Sequence, residues 1–331
     1  MSDTNQDTQK KEIINSMVQT FTMKIANIPR IGKTIQPNSF PTKATEQPNR
    51  LEDTQFLKNH KFYDKEFPKT WESIYGFCGG DLINNGLKAQ LKWIKPNYIF
   101  NTEKYNIFTG NELESDIEQG KLSDCYFLSA AASIADNPEC IKRLIYPHTP
   151  NKEGCYSVFL NVFGMWEEVV IDHRLPVNRF TNKPIFNASD RVVLWSMLLE
   201  KAYAKIHGGY ANIAWGISRY SFTDLTGAPA ENFFVDVKNQ KQLDERFENI
   251  KEAVLKKWPM TTLSKNLSGD GRDDRGALGI VSNHYYSLVD ARILRAGSQT
   301  FKLVKLRNPW GKGEWTGAWN DNDKIWSKKG L

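Results

Sequence analysis

The chain has 331 residues, more than the roughly 250 at which a single hydrophobic core usually stops growing, so two lobes fit better than one ball. Its 10 Trp, 12 Tyr and 18 Phe, within 40% apolar and 25% charged residues, exclude wholesale disorder. A net charge of +6 without any run of five or six like charges argues against a nucleic-acid-binding stripe. Residues 1–50 carry only Phe21 and Phe40 as aromatics and are broken by Pro29, Pro37, Pro41 and Pro48, so they read as a polar N-terminal tail. Within it Ile14, Met17, Val18, Phe21 and Ile25 fall at helical spacing, which fits either a short docking helix or a frayed segment. The first dozen residues have neither the apolar core of a secretory signal nor the acid-free character of a transit peptide. The longest uncharged apolar run, Cys125–Ala135, is 11 residues, about half a bilayer span. Four cysteines, at 78, 125, 140 and 155, lack zinc-knuckle spacing and are too few for a disulfide scaffold. These features predict a soluble cytoplasmic chain with no integral membrane segment.

The globular part opens at the aromatic cluster of Phe56, Phe62, Tyr63, Phe67 and Trp71. Residues 51–226 mix helices with a few strands. Cys125–Ala135 is apolar nearly all round, as in a buried helix; Leu194, Leu198, Ala202 and Ile206 recur at i+4; Tyr156, Val158, Leu160 and Val162 alternate as a strand. Residues 227–331 shift toward strands, with alternating runs around Tyr285–Asp290 and Phe301–Leu306 on either side of the turn residues Arg295–Ser298. The order predicts an α+β fold of a helical lobe and a β-rich lobe, with a site in the cleft between them.

Most candidate motifs are weak. The glycines of Gly311–Gly317 are spaced wrongly for a phosphate loop, and Gly269–Gly276 lacks the ligand order and closing Glu of a calcium loop. His60, His148, His173 and His207 have no histidine partner at i+3 or i+4. Cys125 stands apart, because Ser123 and Asp124 are helix-capping types and place its thiol in the first turn, where the helix dipole favours thiolate. Position 296, midway between His284 and Asn308, lies inside the Arg295–Ser298 turn, so an antiparallel hairpin would set the two side by side. Cys, His and Asn supply a nucleophile, a base and a group that fixes the imidazole tautomer. Gln119, six residues before the thiol, can add an N–H to an oxyanion hole.

The segment Gln119-Gly120-Lys121-Leu122-Ser123-Asp124-Cys125-Tyr126 resembles the nucleophile segment of the calpains, and Asn283-His284-Tyr285-Tyr286-Ser287-Leu288 resembles their histidine segment. Arg307-Asn308-Pro309-Trp310-Gly311, followed by Glu314-Trp315-Thr316-Gly317-Ala318-Trp319, is similar to their asparagine segment, and further matches run in order from about residue 56 to 326. The resemblance implies a two-lobed papain-like protease core with lobes at 51–226 and 227–331, a hinge near Gly227, and limited cleavage of cytoplasmic proteins. It makes Cys125, His284 and Asn308 the triad, Gln119 the oxyanion donor, Gly216 a substrate-binding backbone position and Trp310 a shield over the His–Asn pair. It implies that the second lobe continues beyond Leu331, with further domains or a regulatory partner outside this sequence.

It also implies Ca²⁺ in each lobe, with Asp116 as a first-lobe ligand and Glu314 and Asp321 in the second. Val193 stands where the first-lobe site uses a glutamate, so that shell is expected to be weak. Two alternatives are a calpain-like scaffold that does not cleave its partners, against which all three triad residues speak, and a transglutaminase-type acyl transferase, whose third residue is Asp where this chain has Asn308.

Overall fold

A computed structural model describes residues 17–23, 61–76, 85–110, 116–236, 238–265, 278–296 and 299–327. The readings of His60, Cys78 and the Gly269–Gly276 loop, and most of the 1–50 tail, fall outside them. Short helices α1 (Glu72–Tyr75), α2 (Asn85–Gln90) and α3 (Pro96–Phe100) surround the strand β2 (Leu91–Ile94), and α4 (Cys125–Ala135) and α5 (Pro138–Lys142) follow. Strands β3 (Ile145–Tyr146), β4 (Cys155–Val162) and β5 (Met165–Asp172) form an antiparallel sheet, and β6 (Leu175–Asn178) pairs with β2. Helices α6 (Trp195–Ile206) and α7 (Ser218–Thr226) complete the helical part.

Ten of the eleven residues of α4 are buried, as expected of a helix without a polar face. In α6 every residue from Trp195 to Ala204 is buried, including Glu200 and Lys201. The Lys201 ammonium donates to the Asp172 carboxylate and carbonyl and to the Arg174 carbonyl, each at 2.8 Å, and Lys205 reaches Asp64 at 2.9 Å. The charge is compensated at each step, so the buried cation fastens α6 to the end of β5.

The remaining chain forms a sheet of five strands in the order β10-β9-β8-β1-β7, with β1 at Met17–Met23, β7 at Ala230–Phe234, β8 at Met260–Ser264, β9 at Tyr285–Ala296 and β10 at Gln299–Arg307. Helix α8 (Gln240–Leu255), capped by the Asn239 side chain on Gln242 N–H, places Phe247, Ile250 and Ala253 in a core with Met260, Leu288 and Ala291. Met17–Met23 is neither of the two alternatives read from its spacing, a short docking helix or a frayed segment. It is a strand seated between β7 and β8, with Gln19 opposite both Phe234 and Leu263. Helical spacing lost to two open sheet edges whose ladder groups need partners.

The β9–β10 hairpin forms as expected but in a different register. Ala296 faces Gln299, and a bulge between Lys305 and Leu306 resets the pairing so that Arg307 faces Ser287. The pairing begins past Ala296 instead of around it, which displaces the ladder from the expected register, and the bulge brings it back by one residue.

Candidate active site

Cys125 opens α4 and His284 immediately precedes β9. The two elements are locked together next to both residues. Ser129, one turn along α4 from Cys125, donates through its hydroxyl to the carbonyl of Tyr285 at 2.9 Å, and Ser287 Oγ donates to the Ser129 carbonyl at 2.8 Å. Farther along α4, Ser133 Oγ accepts the backbone N–H of Met260 at 2.7 Å. A helix buried on all sides can afford serines only where they are satisfied, and here they fix the thiol-bearing helix against β8 and the start of β9, next to His284.

His284 is fully buried, and its Nε2 lies 2.9 Å from Asn308 Oδ1. The Asn308 amide orientation is settled by two other partners: Oδ1 accepts the Trp310 N–H at 3.0 Å and Nδ2 donates to the Lys312 carbonyl at 3.1 Å. Because Oδ1 is purely an acceptor, the hydrogen between the two side chains belongs to Nε2, which leaves Nδ1 as the basic nitrogen. The Trp310 ring stands 4.8 Å from the imidazole and Tyr286 meets it edge-on at 5.1 Å. Burial pushes the imidazole down to about 4, against the Asn308 bond, so the ring is neutral at pH 7.

A cleft of about 370 Å³ lies beside the thiol, lined by Cys125, Tyr126, Gly216, Leu263, Asn283 and Tyr285. The residues on both sides of His284 therefore face the same space as Cys125. Gly216 is needed there, because a Cβ at this position would lie 2.4 Å from the Tyr126 ring. The preceding Trp215 adopts φ 70°, costly for a bulky residue by about 1–3 kcal/mol, and its N–H is held by the Ser123 carbonyl at 2.9 Å. The strain falls on the wall of the cleft, where sequence alone gave no sign of it.

Gln119 is buried, and its backbone N–H donates to the Pro309 carbonyl at 2.8 Å, linking its segment to the residue after Asn308. Its Nε2 donates one of its two hydrogens to the Leu122 carbonyl at 2.7 Å. Neither Ser123 nor Asp124 works as expected at the start of α4: the Asp124 main-chain carbonyl accepts from Phe127 and Leu128, but its carboxyl makes no cap.

The expected calcium ligands are not brought together. Asp116 is fully buried, and its carboxylate accepts the Trp195 indole N–H at 2.9 Å and the Thr109 hydroxyl at 3.0 Å, with the Arg191 guanidinium at 3.6 Å. With donors and a cation already on its oxygens, and Val193 buried and apolar, this place does not fit a shell of six to eight oxygens. Glu314 and Asp321 are exposed on the wall of a separate cleft of about 670 Å³. Among the described residues no three His, Cys, Asp or Glu side chains converge on a metal-sized site.

A family model described as calpain family cysteine protease matches residues 62–330. The chain belongs to the calpain family. Among its relatives are mouse calpain-9, 31% identical over 274 residues, human calpain-12, 34% over 271, and the maize calpain-type cysteine protease DEK1, 33% over 278. About 80% of this chain is covered in each case, but only 37%, 36% and 12% of the relatives, so it spans little more than a third of the calpain-9 length. The α+β architecture is that of the calpain protease core. No helix among the described residues is long and apolar enough to cross a membrane.

Proposed function

We propose that this chain is the protease core of an intracellular calpain-type endopeptidase that cleaves protein substrates with Cys125 as nucleophile, His284 as base and Asn308 as the residue that orients the imidazole. The observation that carries the reading is the His284–Asn308 hydrogen bond at 2.9 Å, which fixes the ring tautomer beside a cleft walled by a thiol at a helix N-terminus. His284 Nδ1 takes the thiol proton as Sγ attacks the peptide carbonyl carbon. The imidazolium returns that proton to the leaving amine, and a thioester remains. Nδ1 then takes a proton from water as it attacks the thioester, and Sγ departs to be reprotonated.

The Cys125 backbone N–H and the second amide hydrogen of Gln119 serve the oxyanion, Gly216 keeps the cleft wall low enough for a substrate backbone, and Trp310 keeps water from the His–Asn bond. Calcium is the family's regulator, and in this chain any calcium response works outside Asp116, with Glu314 and Asp321 as the acidic groups left to contribute. Cleavage of casein, compared with that by Cys125→Ala, tests the reading. Turnover in the unmodified chain alone is the expected result, and equal cleavage by both would overturn it.

A further inference from the structure

The Asp124 carboxyl, adjacent to the nucleophile in sequence, is fully buried and does not cap its helix. Apart from its own backbone N–H, no N–H donor among the described residues reaches either of its oxygens. The carboxyl that faces it is that of Glu200 on α6, itself buried and close enough to couple with it. Two buried carboxyl groups face each other at close range only if one carries a proton to share, and among the described residues no cation acts on either of them. The other titratable groups facing the pair are not cations: they are Tyr210 of the short 3₁₀ turn Tyr210–Ile213 and Tyr126 of α4.

The pair leads to the second oxyanion donor. Glu200 Oε1 accepts the Asn187 backbone N–H at 2.9 Å, and the segment around Asn187 is bonded to the Gln119 segment: Glu118 N–H to the Ala188 carbonyl at 2.9 Å, Ala188 N–H back to Glu118 at 2.8 Å, and Lys121 N–H to the Ile185 carbonyl at 2.9 Å. The two segments lie so close that a Cβ on Gly120 would sit 2.0 Å from the Phe186 carbonyl oxygen. The chain of contacts therefore runs from Asp124, whose neighbour supplies one oxyanion N–H, through Glu200 and Asn187 to the loop that supplies the other.

We propose that Asp124 and Glu200 form a proton-sharing dyad of positioning residues that sets the spacing between the Cys125 backbone N–H and Gln119, and so the fit of the oxyanion hole to the tetrahedral intermediate. Neither carboxyl touches substrate or transfers a proton in turnover. Burial holds both carboxyls above their ordinary range, and the Asp124 charge adds to it at Glu200, which keeps a proton on the pair at pH 7. Ionising both would set two buried negative charges against each other and break the tie to the Gln119 loop.

The proposal rests on Cys125 being the nucleophile, and two measurements separate the two claims. Infrared difference spectra of the unmodified protein against Glu200→Gln at pH 7 are expected to contain one protonated-carboxyl stretch that shifts in D₂O. Its absence overturns the dyad whether or not the variants fold. In peptide hydrolysis Asp124→Ala is expected to lower kcat at least about tenfold with KM unchanged, because an oxyanion hole acts on the transition state. Asp124→Asn, which supplies the missing hydrogen from its own amide, is expected to recover most of that loss. An Asp124→Asn variant as slow as Asp124→Ala, or equal losses in kcat and gains in KM, would overturn it. If Cys125 is not the nucleophile, Cys125→Ala retains turnover, an outcome that the dyad variants cannot mimic.

Discussion

Replacing Asn308 by alanine removes three bonds at once: the acceptor for His284 Nε2–H, the acceptor for Trp310 N–H and the donor to the Lys312 carbonyl. The first is the one that bears on chemistry, since it alone selects the tautomer with Nδ1 as base. A bond of this kind contributes about 1–1.5 kcal/mol net, and leaving the buried Nε2–H without an acceptor costs about 1–3 kcal/mol. Because the imidazole is fully buried, the ring can escape that cost only by rotating or changing tautomer, and either takes Nδ1 out of action. At about 1.4 kcal/mol per decade, kcat of Asn308→Ala is expected to fall about ten- to a hundredfold with KM nearly unchanged. Some activity survives, since Asn308 moves no proton. The assay is steady-state hydrolysis of a fluorogenic peptide by the unmodified chain, Asn308→Ala and His284→Ala. Wild-type kcat in Asn308→Ala would refute the orienting role, and a loss equal to that of His284→Ala would mean that Asn308 does more than orient.

Burial holds His173 and His284 down to about 4, so below pH 6.5 the unfolded chain takes up protons that the folded one refuses. Stability is therefore lost as pH falls from about 6.5 toward 4, by about 2 kcal/mol per histidine between pH 7 and 5. In urea unfolding at the two pH values, His173→Gln is expected to show a pH dependence shallower by that amount; parallel curves would contradict it. For calcium, isothermal titration of the unmodified chain is expected to show no event that Asp116→Asn removes, whereas Arg191→Gly combined with Val193→Glu is expected to create one. Tight binding lost in Asp116→Asn alone would show that other oxygens complete that shell.

The sequence makes α4 legible because its residues are apolar on every side, and a helix of that kind has only the interior to go to. The hairpin was equally visible, yet its register was not, since the turn follows Ala296 and a bulge at Lys305/Leu306 then shifts the pairing, neither of which local spacing encodes. Asp124 reads as a helix cap by residue type; its carboxyl turns instead to Glu200, a contact 76 positions away that only the tertiary fold creates. The signal for it was faint but present: Glu200 and Lys201 interrupt an otherwise apolar stretch of α6, and both are buried with partners. Trp215 left no trace, because a positive φ in a tryptophan is imposed by its surroundings.

The central claim is that Cys125 and His284 act as one unit. Mass spectrometry of the folded, active protein after brief exposure to an epoxide-type peptide inhibitor tests it directly. Cys125 is expected to be alkylated well before Cys78, Cys140 or Cys155, and His284→Ala is expected to slow that labelling. First labelling at any other cysteine, or an unchanged rate at Cys125 without His284, would contradict the account.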